Sequence, residues 1–337
     1  MDPCMQCALM FVGAVIGAGF ASGREVVSFF SSYGTYSWGL ILLSVGTMAA
    51  LCGLCLKRAK NTEGCRWCAI YQTEKRWIRN LAEGSILLLQ IVMGGSMISA
   101  AGHLFALALP NRYAYLLGML ATIGLALVLG AVSLKPLAIL SGTLATVFVG
   151  AVLAVLVFDH GDQASVMFMP IREGPLQGAV RAIAYAALNL ALSIGMICRF
   201  GGCSCRSANR TAVLFGFFMA GLLLVSNYLY LKHPELRSVA FPMVALLARF
   251  GYLGHWVSLV LMYLAILTTL SAGLYALRTG LEMCSNRIMA LWLSALLPLG
   301  ISFAGFESLV DRWYAPVGLL CLALVFGPLL IRQKNKP

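Results

Sequence analysis

The sequence predicts an all-α integral membrane protein, and the composition of its 337 residues supports that fold class in two ways. Hydrophobic residues make up 61% of the chain and charged residues only 11%, whereas soluble domains are closer to half apolar and a quarter charged. The mean hydropathy is +0.89. Apolar residues are also gathered into long stretches with short polar connections, which leave no room for a soluble domain. We therefore expect a single membrane-embedded domain over residues 1–337.

About ten stretches are long enough to cross a bilayer, since one helical crossing takes about 20 apolar residues. They are predicted at 8–30, 38–56, 81–109, 113–133, 136–158, 178–198, 211–231, 252–281, 288–306 and 314–331. The first stretch is too long for a cleavable signal peptide and lacks a basic leader.

The net charge of +12 is distributed unevenly between the two sides of the predicted bundle. With the N-terminus inside, the cytoplasmic side holds sixteen lysines and arginines, and the outer side holds six. The sixteen are Lys57, Arg58, Lys60, Arg66, Lys75, Arg76, Arg79, Lys135, Arg199, Arg206, Arg210, Arg278, Arg287, Arg332, Lys334 and Lys336, and the six are Arg112, Arg172, Lys232, Arg237, Arg249 and Arg312. This asymmetry follows the positive-inside rule and predicts two cytoplasmic termini. It also makes nucleic acid an unlikely partner, because the charge follows membrane topology.

The glycine-rich run GAGFASG in the first stretch predicts a broken helix. Glycine costs about 1 kcal/mol relative to alanine in a helix, and three glycines fall within these seven residues. We expect an interruption at Gly17 and Gly19 near mid-membrane, where only protein or a water-filled cavity satisfies the freed backbone. The N–H groups of the reopened helix would attract a carboxylate, and Ala18, Gly19, Phe20 and Ala21 would line a solute pocket. The alternative is that the glycines only permit close helix packing.

Ten helices divide into two halves of five, approximately 8–158 and 178–331. Because five is odd, the halves form an inverted repeat, which places a substrate site between them near the midplane. The sixth helix should then be interrupted as well, although it has no glycine or proline between Gly178 and Gly195. It offers Asn189 and Ser193, which would contact solute or a freed carbonyl. An ordinary interhelical hydrogen bond is the alternative for Asn189.

Arg24 and Glu25 are the acid–base pair that lies well inside a predicted span. Charges within a membrane are costly and face polar cavities. Adjacent residues on a helix diverge by about 100° and do not pair well with each other. Glu25 therefore needs another partner, for which Arg181 is a candidate. We expect either a gating salt bridge at the outer side or a proton-carrying role for Glu25.

The segment VIGAGFASGREVVSFF resembles the first helix of the YkvI-like bacterial membrane proteins. That family is similar to the amino acid–polyamine–organocation superfamily, whose members share the LeuT-type fold of five plus five helices. The resemblance implies a transporter fold in the bacterial cytoplasmic membrane. The family usually reads GAGFASGQE, and this chain has Arg24 in place of the glutamine.

The same resemblance implies a sodium site, because LeuT-type sodium symporters bind one ion with helix 1 carbonyls and two adjacent hydroxyl residues on helix 8. The helix 8 pattern is matched by Ala265, Thr268 and Thr269, and the carbonyls would be those of Gly13 and Ile16. Carbonyl and hydroxyl oxygens suit a hard cation such as sodium. A threonine pair is also a common packing element, since each hydroxyl can bond to its own helix.

The eleven cysteines fall mostly at the predicted cytoplasmic face. They are Cys4, Cys7, Cys52, Cys55, Cys65, Cys68, Cys198, Cys203, Cys205, Cys284 and the central Cys321. Cytoplasmic thiols stay reduced, so a disulfide framework is not expected. The spacing of Cys52, Cys55, Cys65 and Cys68 resembles that of zinc ligands, but we favour free thiols without a metal.

Together these features predict a secondary active transporter of a small amino-acid-like or related organic solute, with sodium as a candidate coupling ion and no cofactor. One alternative is a non-transporting small-molecule sensor on the same fold. Another is a proton-coupled transporter that uses Glu25. An enzyme is not expected, because the spans hold no paired carboxylates, nucleophile–histidine set or phosphate loop.

Overall fold

The computed structural model describes residues 2–59, 76–132, 134–158, 174–204, 207–283 and 285–330, and within these ranges all regular structure is helical. Seven helices in the described ranges are long and apolar enough to cross a membrane, judged by length and composition. Three shorter apolar helices accompany them, Pro3–Val15, Ala114–Gly130 and Arg287–Ser302. The protein is thus all-α, as its composition predicts.

The first apolar stretch forms three short helices in place of one long helix. They are α1 (Pro3–Val15), α2 (Ala18–Ser22) and α3 (Arg24–Phe29). The Asp2 carboxylate caps α1 by accepting a hydrogen bond from the Cys4 N–H at 3.2 Å, and Pro3 occupies the first helical position, where its missing N–H costs nothing. A 3₁₀ turn over Ser31–Tyr36 follows α3.

The other helices follow the remaining predicted stretches closely, except for the short α10, which lies between the stretches predicted at 211–231 and 252–281. They are α4 (Ser37–Ala59), α5 (Arg76–Ala108), α6 (Ala114–Val132), α7 (Leu134–Phe158), α8 (Pro175–Ser204), α9 (Ala208–Lys232), α10 (Pro242–Ala248), α11 (Gly251–Leu281) and α12 (Arg287–Ser302). The last span begins eight residues before its predicted start at 314. It combines α13 (Phe306–Ser308), α14 (Tyr314–Cys321) and α15 (Gly327–Leu330) with two π-helical turns between them, Leu309–Trp313 and Leu322–Phe326.

Helices α5 and α8 each pack against several other helices of the bundle. Helix α5 packs against α6, α11 and α12, while α8 packs against α4 and α14. Small residues permit the close approaches: a Cβ at Gly318 on α14 would overlap the backbone carbonyl of Ala184 on α8. Close backbone packing of this kind is typical of membrane helices, which lack a hydrophobic driving force between them. The packing brings the C-terminal end of α1 and the middle parts of α5, α8 and α11 around one space.

Several sequence predictions concern residues outside the described part of the chain. These are the charges at Lys60, Arg66, Lys75, Arg172, Arg206, Arg332, Lys334 and Lys336, the cysteines at 65, 68, 205 and 284, and the side chains of Lys135, Cys198, Arg199 and Cys203. Cys4, Cys7, Cys52, Cys55 and Cys321 are buried. Within the described ranges no three His, Cys, Asp or Glu side chains are close enough together to hold a metal ion.

Candidate functional site

The first interruption of helix 1 is a tight turn at Ile16. Helix α1 ends there with φ −72° and ψ 77°, and the Gly17 N–H donates to the Val15 carbonyl at 2.8 Å. This is the geometry of an inverse γ-turn. Gly17 itself is extended, with φ −96° and ψ −171°, before α2 begins at Ala18. The break therefore includes Gly17, as the glycine density predicts.

Thr269 on α11 contacts the break in helix 1. Its hydroxyl accepts a hydrogen bond from the Ala18 N–H at 3.2 Å. A Cβ at Gly17 would lie 3.3 Å from the same hydroxyl oxygen, closer than side chains normally pack. Gly17 thus allows α11 to approach the break, and Thr269 satisfies one of the N–H groups that the break leaves free.

A second interruption lies at Gly23, where φ is +79° and ψ is −13°. This left-handed conformation favours glycine. Around it, the Ser22 hydroxyl donates to the Gly19 carbonyl at 2.6 Å and accepts from the Arg24 N–H at 3.1 Å. A Cβ at Gly23 would overlap the Tyr230 hydroxyl. The prediction that Gly19 lies at the break is wrong, because Gly19 is inside α2 and Gly23 takes that role.

A cavity of about 440 Å³ begins at the first break and runs between α5, α8 and α11. From α1 to α3 it is lined by Ala14, Val15, Ile16, Gly17, Ala18, Gly19, Phe20 and Glu25. The other helices contribute Gln90, Met93, Gly94, Met97, Ser141, Asn189, Leu192, Ser193, Met196, Thr268, Thr269, Leu270, Ala272, Gly273, Tyr275 and Ala276. This volume is within the range of small-molecule sites.

Most of the predicted solute and ion residues meet at this cavity. Ala18, Gly19, Phe20, Asn189, Ser193, Ile16, Thr268 and Thr269 all line it. Ala21 and Ala265 instead line a neighbouring space of about 30 Å³, which Ile16, Thr268 and Thr269 share. Phe20 contributes to the wall between the two spaces, where its ring packs edge-on against Phe148 with centroids 5.8 Å apart. Gly13 lines neither space.

Helix α8 is continuous from Pro175 to Ser204, so the expected interruption of the sixth helix is wrong. The Asn189 side-chain amide donates to the Tyr185 carbonyl at 3.0 Å, and the Ser193 hydroxyl donates to the Asn189 carbonyl at 3.0 Å. Both side chains therefore bond back to their own helix while they line the cavity.

The two threonines on α11 differ in their hydrogen bonds. Thr269 accepts from the break, whereas the Thr268 hydroxyl donates to the Leu264 and Ala265 carbonyls at 3.0 and 3.1 Å. The Thr268 oxygen can still accept hydrogen bonds or bind a cation, because donation uses only its hydrogen. The threonine pair thus lies beside the break, and the sodium site stays a prediction.

Arg24 forms a buried ion pair with Asp311, which lies in the first π-helical turn. The guanidinium and carboxylate are 2.6 Å apart, and the side chains are only 10% and 22% exposed. The same guanidinium donates to the carbonyls of Arg237 and Val239, both at 3.2 Å. These contacts join helix 1 to the last helix and to the segment before α10. Sequence reasoning missed Asp311 because it lies 287 positions from Arg24.

Arg181 does not pair with Glu25, which corrects the partner suggested by the sequence. Its guanidinium donates to the Ser28 hydroxyl at 2.9 Å and to the Asp311 carbonyl at 3.0 Å. It also stacks over the Phe29 ring, 4.9 Å from the centroid. Arg24 and Arg181 therefore belong to one polar cluster around Asp311, away from the cavity lining.

The Glu25 side chain, in contrast to those of Arg24 and Arg181, lines the cavity. It is 2% exposed, and its carboxylate lies so close to Gly19 that any Cβ there would overlap it. No hydrogen bond or ion pair of this carboxylate is found among the described residues. Gln90 and Met93 on α5 are among the cavity residues that were not predicted. Gln90 offered a usable signal, since a glutamine inside an apolar span is unusual.

Comparison with known proteins extends the resemblance along almost the whole chain. The chain is 27% identical over 344 residues to the uncharacterized membrane protein YkvI of Bacillus subtilis (strain 168), covering 97% of this chain and 95% of that protein. The resemblance indicated by the first helix is thereby confirmed. No family model matches the chain.

Among solved structures, the chain is similar to Mhp1, a nucleobase-cation-symport-1 family transporter in a closed conformation with bromovinylhydantoin bound. The TM-score is 0.59 at 14% identity, and the match covers 96% of this chain and 76% of Mhp1. At this identity the likeness shows the fold alone. The chain has the fold of a membrane transporter.

Proposed function

We propose that this protein is a secondary active transporter of a small amino-acid-like or related organic solute, which binds in the cavity at the break of helix 1. The observation that carries the proposal is that the cavity of about 440 Å³ begins at an interrupted helix. Irregular backbone at membrane depth is tolerated where it lines a cavity, and secondary transporters bind their substrates at such discontinuous helices.

The helices around the cavity support a five-plus-five inverted repeat with ten spans. Counting the three pieces of helix 1 as a single span, the cavity is lined chiefly by the first, third, sixth and eighth spans, which are α1–α3, α5, α8 and α11. In a five-plus-five repeat, the sixth and eighth spans are the counterparts of the first and third. A site between two related halves is therefore lined by equivalent helices. The three shorter apolar helices would complete the count.

The cavity extends toward one end of the bundle. On α8 it reaches Met196 and on α11 it reaches Ala276, both in the C-terminal halves of their helices. The Arg24–Asp311 ion pair lies beyond the break, toward the other end. With both termini cytoplasmic, as the charge distribution predicts, this geometry corresponds to an inward-facing state with a salt bridge closing the outer side.

Sodium is our first choice of coupling ion, bound by the oxygens of Thr268 and Thr269 and the helix 1 carbonyls of Gly13 and Ile16. The Thr269–Ala18 hydrogen bond supports this choice because it brings one hydroxyl to the break. Proton coupling through Glu25 is the second candidate, favoured by a buried carboxylate in the cavity wall.

Uptake into liposomes containing the purified protein tests the proposal. Radiolabelled amino acids and related amines are offered with a sodium gradient, a proton gradient or neither. We expect gradient-driven accumulation of at least one solute, abolished in Ser193→Trp, which fills the cavity. Val213→Trp on the exposed face of α9 is the matched control and should transport normally. Saturable binding without uptake of any solute would contradict transport and favour the sensor alternative.

A further inference from the structure

We infer that the Glu25 carboxylate is the recognition group for a positively charged amine, so that the solute is a primary amine or a zwitterion bound through its ammonium group. This inference rests on the proposed function, since it concerns the same cavity. It narrows the substrate class to solutes that carry a protonated nitrogen.

The cavity lining carries a negative formal charge and no positive one among the described residues. Within the described part of the chain, Glu25 is the one lining residue with a formal charge, and the other polar lining groups are neutral amides and hydroxyls. An anionic solute would face this carboxylate without a compensating cation. A cationic group on the solute would instead pair with the Glu25 carboxylate, for which the cavity lining offers no positive charge among the described residues.

The arginines nearest to Glu25 bind other groups. Arg24 pairs with Asp311 at 2.6 Å, and Arg181 donates to Ser28 and to the Asp311 backbone. Glu25 is 98% buried, since its exposed fraction is 2%, and no partner for its carboxylate is found among the described residues. A buried carboxylate without a partner is costly, so an arriving ammonium group gains both charge pairing and hydrogen bonds.

The fold leaves room for this carboxylate at Gly19. The carboxylate lies against the bare Cα of Gly19, the second residue of α2, where a Cβ would overlap it. The carboxylate therefore lies in the cavity lining beside α2, where a solute that enters the cavity contacts it.

A binding measurement on the purified full-length protein tests the inference. The probes are the standard L-amino acids and small alkylamines, each compared with its N-acetyl derivative, which removes the positive charge and keeps the rest of the molecule. We expect one or more free amines to raise the unfolding temperature, and their N-acetyl forms to have no effect. Equal stabilisation by the acetylated form, or binding confined to neutral or anionic probes, would overturn the inference.

Variants then assign the effect to Glu25. Glu25→Gln should weaken binding of the stabilising amine by at least about tenfold. Glu83→Gln, which removes a carboxylate outside the cavity lining, should bind as the wild type does. Glu25→Asp keeps the charge and should give intermediate affinity, which preserves the test if Glu25→Gln does not fold. Unchanged amine affinity in both Glu25 variants overturns the inference.

Failure of this inference is distinguishable from failure of the proposed function, because binding in detergent does not require transport. If liposomes that contain the protein take up N-acetylated solutes, recognition of the amine by Glu25 is overturned, whereas the proposed transport function stands. If Glu25→Gln binds normally but loses its response to a proton gradient, Glu25 carries a proton and does not recognise amines. If the protein binds amines but does not take them up, the amine-recognition site stands and the proposed transport function fails.

Discussion

The backbone N–H of Ala18 donates a hydrogen bond to the Thr269 hydroxyl at 3.2 Å, across 251 positions of sequence. This contact joins the break in helix 1 to the middle of α11. Because α2 begins at Ala18, its first N–H has no partner within the helix, and the threonine oxygen replaces the water that would otherwise have to bind there. It also brings that oxygen to the place where a coupling ion is expected.

Replacing Thr269 with valine keeps the shape of the side chain and removes its oxygen. We expect a loss of about 1 kcal/mol in the free energy of unfolding, the usual contribution of one hydrogen bond. If sodium binds here, the rise in unfolding temperature caused by sodium chloride relative to potassium chloride should also disappear. Thr268→Val should weaken the sodium response with less effect on the break, since its hydroxyl bonds only to its own helix.

Thr279→Val is the control for both variants. Thr279 makes the same hydrogen bonds to its own helix on α11, to the Tyr275 and Ala276 carbonyls at 3.0 Å, and does not line the cavity. It should leave the sodium response unchanged. A full sodium response in the double variant Thr268→Val/Thr269→Val would exclude this ion site and make Glu25 the leading coupling residue.

Gly23→Ala should destabilise the protein through the backbone of helix 1. At φ +79° an alanine costs about 1–2 kcal/mol, and its methyl group would additionally displace the Tyr230 hydroxyl. Gly46→Ala on α4 is the matched control, because a Cβ there meets nothing within 4 Å and alanine is the better helix former. Thermal unfolding in detergent compares the two. Equal unfolding temperatures would contradict the second break.

The Arg24–Asp311 ion pair should show strong energetic coupling in a double-mutant cycle. Arg24→Gln or Asp311→Asn alone leaves a charge in a mostly buried site, which costs about 3 kcal/mol or more. The double variant should be clearly more stable than the sum of the two losses predicts. The surface pair Arg278–Glu282, one turn apart on α11, serves as the comparison and should couple by about 0.5 kcal/mol. Additive losses at Arg24 and Asp311 would mean that the two residues act independently.

The sequence predicts the helices and the first break well because both depend on local properties. Apolar stretches of about 20 residues have few alternatives to helix in a bilayer, and the density of glycine around Gly17 weakens the helix wherever it packs. Gly19 and Gly23 could not be told apart from composition. A Cβ is excluded at both positions, at Gly19 by the Glu25 carboxylate and at Gly23 by the Tyr230 hydroxyl, and the contact with Tyr230 arises from tertiary packing.

The features that the sequence did not predict correctly depend mostly on contacts between segments that are distant in the chain. The partner of Arg24 was not predictable, because Asp311 lies in a π-helical turn of the last helix and sequence spacing gives no sign of their approach. The position of Arg181 at the outer end of the sixth predicted helix suggested it as the partner of Glu25, but its guanidinium donates to the Ser28 hydroxyl and to the Asp311 carbonyl. The expected interruption of α8 came from repeat symmetry alone, whereas the residues between Gly178 and Gly195 favour a continuous helix.

The most direct test of the central claim is a structure of the protein with a bound solute, chosen as the amine that most raises its unfolding temperature. The account predicts density for the solute in the cavity between the helix 1 break and α8, with its nitrogen within about 3 Å of the Glu25 carboxylate. Asn189 and Ser193 should lie on the opposing wall. Density for the solute outside this cavity, with the cavity unchanged, would contradict the account.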